Sequence, residues 1–479
     1  MMQLHLPWLE LSILIPLAGA LWVSRLRDAA VARKAALVFG ILALVCTTSA
    51  WQDFYTLHVD QAHDRWDLIS PYLGPEFLVI DALNAPLLPM AALLYLLTMT
   101  ATAPTKIRRF SFSAALISEA ILLSTLSCRD GWGLIVLLAV GTLPPLWELR
   151  ARKKPTRVFA IHMALFVGLL AAGWSMVEWE GAGPTHSMFA VGLLVAAVLV
   201  RSGIAPLHCW MTDLFEHATF GTALLFVTPM VGAYAAVRLV LPIAPHWALH
   251  GIGFLSLATT VYAAGMALVQ REARRFFCYL FLSHSALVLV GLEIATPIGL
   301  TGALCVWLSV GLALTGFGLS LRSLEARTGR LSLADYHGLY VHMPTLGSFF
   351  LLTGLASVGF PGTFGFVGTE LLVEGAVEAF PLVGMAVVFA TALNGVAVVR
   401  AYFMMFGGKQ HVTTVKLRCL LGERWAIMGL ALLILGGGLY PQPGVFSRQQ
   451  AALEIMETRQ ALLPQKSHPH PTTIAERLP

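Results

Sequence analysis

Long apolar runs recur along the whole chain of 479 residues and restrict its possible folds more than any other feature. About fourteen of them reach the roughly 17–25 residues with which an α-helix crosses a bilayer. They lie near 8–24, 33–50, 81–103, 110–128, 131–149, 157–178, 187–206, 217–241, 248–270, 275–295, 299–321, 343–375, 381–406 and 424–441. Only 12% of the residues are charged, against about 25% in soluble domains. The sequence therefore predicts an all-α polytopic membrane protein with about fourteen transmembrane helices.

The charges of the connecting loops predict the orientation. Basic residues follow every odd-numbered run except the seventh, as Arg25 and Arg27 follow the first and Arg150, Arg152 and Lys153 follow the fifth. The intervening loops are acidic or neutral. Because Lys and Arg accumulate in cytoplasmic loops, we expect both termini on the non-cytoplasmic side of the inner or cell membrane. The first run lacks a basic leader and a cleavage site, so we expect it to be retained.

Two of the runs are interrupted by helix-breaking residues. Gly203 and Pro206 break the seventh run, and Pro361 and Gly362 break the twelfth. Interrupted spans at matching positions in two halves are typical of inverted repeats with a transport pathway at their interface. The spacing predicts one repeat at 110–241 (helices 4–8) and another at 242–410 (helices 9–13). Three segments flank them: helices 1–3 at 1–109, the last helix at 411–441 and a polar tail at 442–479.

Three ordered motifs carry a resemblance to a known family. Residues 201–213 read R-S-G-I-A-P-L-H-C-W-M-T-D and are followed by G-A-Y-A-A-V-R at 232–238. Residues 274–284 read R-R-F-F-C-Y-L-F-L-S-H, and residues 355–368 read L-A-S-V-G-F-P-G-T-F-G-F-V-G. The chain resembles the antiporter-like, proton-translocating membrane subunits of complex I (NADH:quinone oxidoreductase) and of Mrp antiporters. Without a long carboxy-terminal amphipathic helix, it resembles the medium-sized M-type subunit more than the largest one.

The resemblance implies a fold and a mechanism. It implies fourteen helices in two inverted five-helix repeats with broken helices 7 and 12, and a central row of lysine, histidine and glutamate that relays protons. The chain is a divergent member, because several positions of that row hold other residues here: Val140, Arg201 in place of lysine, Met230, Val310, Leu314 and Thr369.

Seven residues are candidates for a proton pathway. Histidine titrates near neutral pH. A carboxyl within a span costs free energy unless it is neutralised or paired, so it is a functional candidate. Each also has a structural interpretation, as a hydrogen-bonding histidine or as one partner of an ion pair. The candidates are Glu119, Arg201, His208, Asp213, His284, Glu370 and Glu374.

Three details refine this set. Arg201 cannot release its proton readily, so we expect it to tune a neighbouring acid, to bind an anion or to pair with Asp213, Glu216 or Glu119. Glu119 could supply the acid that the fifth span lacks. Glu370 and Glu374 are four residues apart and share a helix face, which Glu378 could extend as an acidic path to the non-cytoplasmic side. Arg238, Glu272, Arg274 and Arg275 lie at span ends, where we expect solvated charges.

The sequence gives no sign of cofactor chemistry. The six cysteines are scattered without metal-ligand spacing, so we expect no metal, no redox cofactor and no redox or hydrolytic site in this chain. We expect other membrane subunits, protons and lipid as partners, and no nucleic acid.

Three functions remain open. The first is a proton-translocating subunit of an NADH:quinone oxidoreductase-type complex. The second is a proton-driven coupling subunit of a complex that accumulates CO2 or bicarbonate with a zinc-containing partner. The third is a non-conducting membrane scaffold of the same fold.

Overall fold

The computed structural model of this chain describes residues 2–66, 69–74, 77–181, 186–294, 296–409 and 419–462. Regular structure in them is mostly α-helix, which satisfies backbone hydrogen bonds within each segment, as lipid requires. The helices are α1 (Trp8–Ser24), α2 (Ala29–Leu57), α3 (Ser70–Leu73), α4 (Leu87–Thr100), α5 (Phe112–Ser127), α6 (Gly131–Gly141), α7 (Leu143–Ala151), α8 (Arg157–Glu180), α9 (Met188–Ser202), α10 (Cys209–His217), α11 (Phe220–Val227), α12 (Val231–Ala235), α13 (His246–Val269), α14 (Ala273–Ile294), α15 (Pro297–Thr328), α16 (Pro344–Ser357), α17 (Phe364–Ala379), α18 (Pro381–Phe406), α19 (Leu421–Leu439) and α20 (Gln442–Leu462).

The predicted fold class is confirmed: the chain is a mostly helical, multi-pass membrane protein. Within the described residues, nine helical segments are at least 18 residues long and apolar enough to cross a bilayer. Shorter apolar helices of 10–17 residues are α1, α4, α5, α9 and α16. Parts of the last two predicted segments, residues 411–418 and 463–479, lie outside the described residues, and the count of fourteen stays a prediction.

Short polar residues fix where several of these helices begin. Ser111 accepts a hydrogen bond from the backbone N–H of Ala114 at 3.2 Å, ahead of α5. Asp130 accepts one from Gly133 at 2.6 Å, ahead of α6. Such caps satisfy amide groups that the first helical turn leaves without partners. The local sequence thus sets the residues at which α5 and α6 begin.

Helix α15 lies at the centre of the second half, and 89% of the residues in its most apolar 18-residue stretch are buried. It packs against α17 at close range because glycines line their contact. A Cβ atom at Gly368 would lie 2.9 Å from the backbone nitrogen of Val306, closer than real contacts allow. Small residues let transmembrane helices approach until their backbones touch. This contact fixes the face that α17 turns outward.

Both predicted helix breaks are confirmed. The seventh span stops where α9 ends, and Gly203 adopts the left-handed conformation (φ 70°) that caps it. The chain becomes helical again at α10. The twelfth span stops at the end of α16 and resumes at α17, with Gly359 (φ 77°) and Gly362 (φ 86°) between them. Left-handed backbone is favourable at these points because glycine has no Cβ.

A third break was not predicted. The eighth span is divided into α11, α12 and a π-helix at Ala236–Val240. Met230 adopts a left-handed conformation (φ 50°) directly before α12. Pro229 is the local signal, because proline has no backbone N–H to donate within a helix. Met230 is also one of the positions where the family resemblance implies a lysine.

A small sheet and the last helix meet at one end of the molecule. Strand β1 (Met2–Gln3) pairs in parallel with β2 (Gln61–His63), which pairs antiparallel with β3 (Ile80–Asp81). Arg448 of α20 donates to the carbonyl oxygens of Ala82 and Leu83, at 2.6 Å and 3.0 Å. The first described residues and the last described helix therefore lie at the same end.

The packing of α20 is expected to depend on pH through Glu454. Burial, reinforced by the negative charges of Asp81 and Asp60, raises the pKa of this carboxyl from 4.5 to about 8. The folded state then holds a proton that the unfolded chain releases, so stability falls as pH rises between these two values. We expect the amide hydrogens of α20, corrected for intrinsic rates, to be less protected at pH 9 than at pH 6.

The Glu454→Gln variant is expected to lose most of this pH dependence. Glu457→Gln, on the exposed side of the same helix, is the matched control and should behave like the unmodified chain. An unchanged pH response of Glu454→Gln contradicts the assignment.

Candidate functional site

A cavity of about 450 Å³ opens between α5, α7 and α11. Arg109, Glu148 and Arg152 line it near the ends of helices, and Arg201 lines it deeper, beside the break that follows α9. Glu148 is held in place because it accepts hydrogen bonds from the backbone N–H of Thr219 at 2.7 Å and from Arg152 at 3.3 Å. Most of the remaining lining is apolar.

Arg201 is 5% exposed, and its charge has no anionic partner among the described residues. Its Nη2 atom donates to the carbonyl oxygen of Phe226 at 3.2 Å. The guanidinium also lies 4.1 Å from the ring centre of Phe226 and 5.4 Å from that of Trp210. No described carboxylate lies within 4 Å of it, so the expected pairing with an acid is wrong. The two aromatic rings and the one carbonyl oxygen stabilise the positive charge in place of water.

Glu119 lies in the middle of α5 and is fully buried. Neither of its carboxylate oxygens has a hydrogen-bond partner among the described residues. Tyr95 of α4 is near enough for an electrostatic interaction with it. Burying an ionised carboxylate without hydrogen-bond partners costs free energy. The alternative that Glu119 pairs with Arg201 is wrong, because neither of its oxygens contacts that guanidinium. Glu119 therefore keeps the features of a group that exchanges a proton.

His208 occupies the gap between α9 and α10, as the motif predicted. Its ring lies edge-on to Tyr262 of α13 at 5.6 Å and tilted to Tyr279 of α14 at 5.8 Å between centres. The Nδ1 atom is buried and has no partner in the described part of the chain. The two tyrosines are polar groups that the sequence analysis did not single out. Together the three rings form a cluster of polar aromatic side chains at the break.

Asp213 and Glu216 follow on α10 but have different surroundings. Asp213 lies 3.1 Å from Nδ1 of His217, while its other oxygen, Oδ2, is buried without a described partner. Glu216 is bound by Arg330 at 2.9 Å and by Arg275 at 3.3 Å. Asp213 is thus the acid of α10 that keeps one carboxylate oxygen without a described hydrogen-bond partner.

His284 marks a second polar centre, in the second half of the chain. It is 2% exposed, and its Nε2 atom has no described partner. The adjacent Ser283 donates to the carbonyl of Thr260 at 2.9 Å and accepts from Asn394 of α18 at 2.8 Å. Asn394 was not among the candidates from the sequence, although a lone amide in an apolar helix of 26 residues itself indicates a polar contact within the membrane.

Glu370 and Glu374 lie on one face of α17, as their spacing predicted, and Glu378 extends that face. All three side chains are exposed on the outer surface of the chain. The close packing of α15 on the opposite side of α17 turns them outward. They lie apart from the cavity and the histidines.

Arg238 is not the solvated charge that its position near a span end suggested. Its Nη1 and Nη2 atoms contact the carboxylate of Asp81 at 2.6 Å and 2.9 Å, and its Nε donates to Tyr234 at 3.1 Å. Asp81 also accepts backbone hydrogen bonds from Leu83 and Asn84. The expectation of solvation fails for Arg274 as well, because that side chain is largely buried and paired with a glutamate.

Comparisons with known proteins identify the fold and the domain. A family model described as the NADH:quinone oxidoreductase/Mrp antiporter transmembrane domain matches residues 163–394. Residues 163–394 of this chain are therefore similar to that domain. The match includes the break after α9, His208, His284 and the broken twelfth span. The resemblance that the motifs indicated is thereby confirmed.

Relatives and solved structures extend the likeness beyond that domain. The NAD(P)H-quinone oxidoreductase chain 4 of Prochlorococcus marinus is 27% identical, over 91% of this chain and 88% of its own length. A chain of respiratory complex I from Thermus thermophilus has a TM-score of 0.80 at 22% identity, covering 94% of this chain and 99% of that one. A chain of the Mrp complex from Dietzia has a TM-score of 0.79 at 17% identity, covering 95% and 99%.

Proposed function

We propose that this chain is a proton-translocating, antiporter-like membrane subunit of an NADH:quinone oxidoreductase-type complex. The observation that carries the proposal is the likeness to chain 4 of such oxidoreductases along 91% of the sequence. The site adds support, because the carboxyl of Glu119 and one ring nitrogen each of His208 and His284 are buried without hydrogen-bond partners among the described residues. Redox chemistry is then the task of partner subunits.

The proposed pathway begins at the cavity beside α5. Water there reaches the neighbourhood of Arg201, which keeps its positive charge and does not carry the proton. Glu119 and His208 exchange the proton, since a carboxyl and an imidazole release a proton far more readily than a guanidinium does. Asp213 assists at the break.

The second half continues the pathway from His284 towards α17. Glu370 and Glu374 face outward, so they join the pathway only where another membrane subunit covers that helix. A carboxylate facing lipid is costly, which is why we place a partner subunit there.

The proposal includes the arrangement in the membrane. The two termini lie on the non-cytoplasmic side of the inner or cell membrane, and the inverted repeats span 110–241 and 242–410. The basic loops predicted from the sequence support this orientation. Since the cavity mouth holds Arg152, from one of those loops, it faces the cytoplasm.

Purification of the intact assembly through a tag on this chain tests the function. We expect redox subunits that carry iron–sulfur clusters, recognised by electron paramagnetic resonance and by NADH:quinone activity. A soluble zinc protein in their place would overturn the proposal in favour of carbon accumulation. An assembly with redox subunits that pumps no protons would leave only the scaffold function.

A further inference from the structure

The cavity beside α5 has the size of a ligand site. Its volume of about 450 Å³ lies within the roughly 300–1,000 Å³ that small-molecule pockets occupy. Apolar side chains form most of its wall: Ile117, Ile121, Leu122, Leu137, Leu138 and Leu225. An apolar wall with a few polar groups is the composition that holds an organic molecule in place.

The charges around this cavity favour an anion. Arg109, Arg152, Arg201 and one acid, Glu148, line it, so three positive charges and one negative charge leave a formal charge of +2. Glu148 is already engaged with Arg152 and with Thr219. Arg201 lines the cavity while 95% buried. An anion is the group that would compensate its charge at lowest cost.

We propose that this cavity binds an organic monoanion with a carboxylate head and an aliphatic body. The planar guanidinium of Arg201 matches a carboxylate, with which it can form two charge-assisted hydrogen bonds. The aliphatic body lies along the apolar faces of α5 and α11. Water enters the same cavity at its charged groups, and the aliphatic body of the anion would replace it along the apolar wall. This site goes beyond the proposed function, since binding does not require proton flux.

Isothermal titration calorimetry of the full chain in lipid nanodiscs tests the site. The probes are decanoate, which has both parts of the proposed ligand, and bicarbonate, which has only the head. We expect saturable binding of decanoate, and at least about tenfold weaker binding to Arg201→Gln, since a charge-assisted hydrogen bond contributes roughly 1.5–3 kcal/mol. Binding of bicarbonate without decanoate would overturn the aliphatic part of the proposal.

A second variant keeps the test independent of Arg201. Gly141 lines the cavity, and a Cβ there would meet only Ile121 at 3.7 Å, so Gly141→Leu fills space without a clash at its first carbon. Gly168→Leu is the matched control, because Gly168 is exposed and has no atom near its Cβ position. Gly141→Leu should abolish decanoate binding and Gly168→Leu should preserve it. No saturable binding, or equal binding by all variants, overturns the proposal.

Discussion

Replacing Asp81 by alanine is expected to lower the free energy of unfolding by about 3–5 kcal/mol, the usual cost of removing one partner of a buried ion pair. Asp81 and Arg238 are 4% and 13% exposed, and the carboxylate also binds two backbone amides. Without it, the Arg238 guanidinium stays buried, and among the described side chains Tyr234 remains as its hydrogen-bond partner. Thermal unfolding in mild detergent, followed by tryptophan fluorescence, measures the loss.

Two further variants separate the ion pair from other effects. Asp130→Ala removes only a helix cap and should cost about 1 kcal/mol. Asp81→Ala combined with Arg238→Met removes the stranded charge and should recover part of the loss. If Asp81→Ala costs no more than Asp130→Ala, the pair does not hold the third and eighth spans together as described.

The sequence predicted most of the fold because lipid leaves a chain few options. Apolar runs must become helices there, and glycine with proline marks where a helix stops, so the breaks at Gly203 and Pro361 were readable. The break at Met230 was not, since a left-handed non-glycine residue is stabilised by its surroundings and not by its own type. Pro229 indicates that a helix stops there, but it does not predict the left-handed conformation of the residue that follows.

The site was less readable than the fold. Glu119 stood out because a charge within an apolar run is rare, and its burial agrees with that. The outward direction of Glu370 could not be foreseen, because helical spacing gives a shared face but not the neighbour that it meets. The partner of Arg238 lies 157 residues away in sequence, and only the folded chain brings the two together.

Replacing Glu119 by glutamine is expected to lower proton flux by about a hundredfold, the lower range for losing a positioned proton-transfer group. Glutamine keeps the size of the side chain but cannot release a proton. Because both carboxylate oxygens are buried without described partners, the change should leave folding and assembly intact. The amount of purified complex and its NADH oxidation with an artificial electron acceptor verify that.

Glu178→Gln is the matched control for this substitution. Glu178 lies near the end of α8, exposed and hydrogen-bonded to Trp132 at 2.6 Å. The same chemical change at that position should leave proton flux within about twofold of the unmodified complex, since surface substitutions rarely have larger effects.

Acidification of liposomes that contain the complete complex, driven by NADH and a quinone, tests the central claim most directly. If protons pass through this chain, Glu119→Gln and His208→Ala should each reduce the pH gradient formed per NADH oxidised, while Glu178→Gln should not. Unchanged gradients in both Glu119→Gln and His208→Ala, with assembly intact, would contradict a proton pathway through this chain.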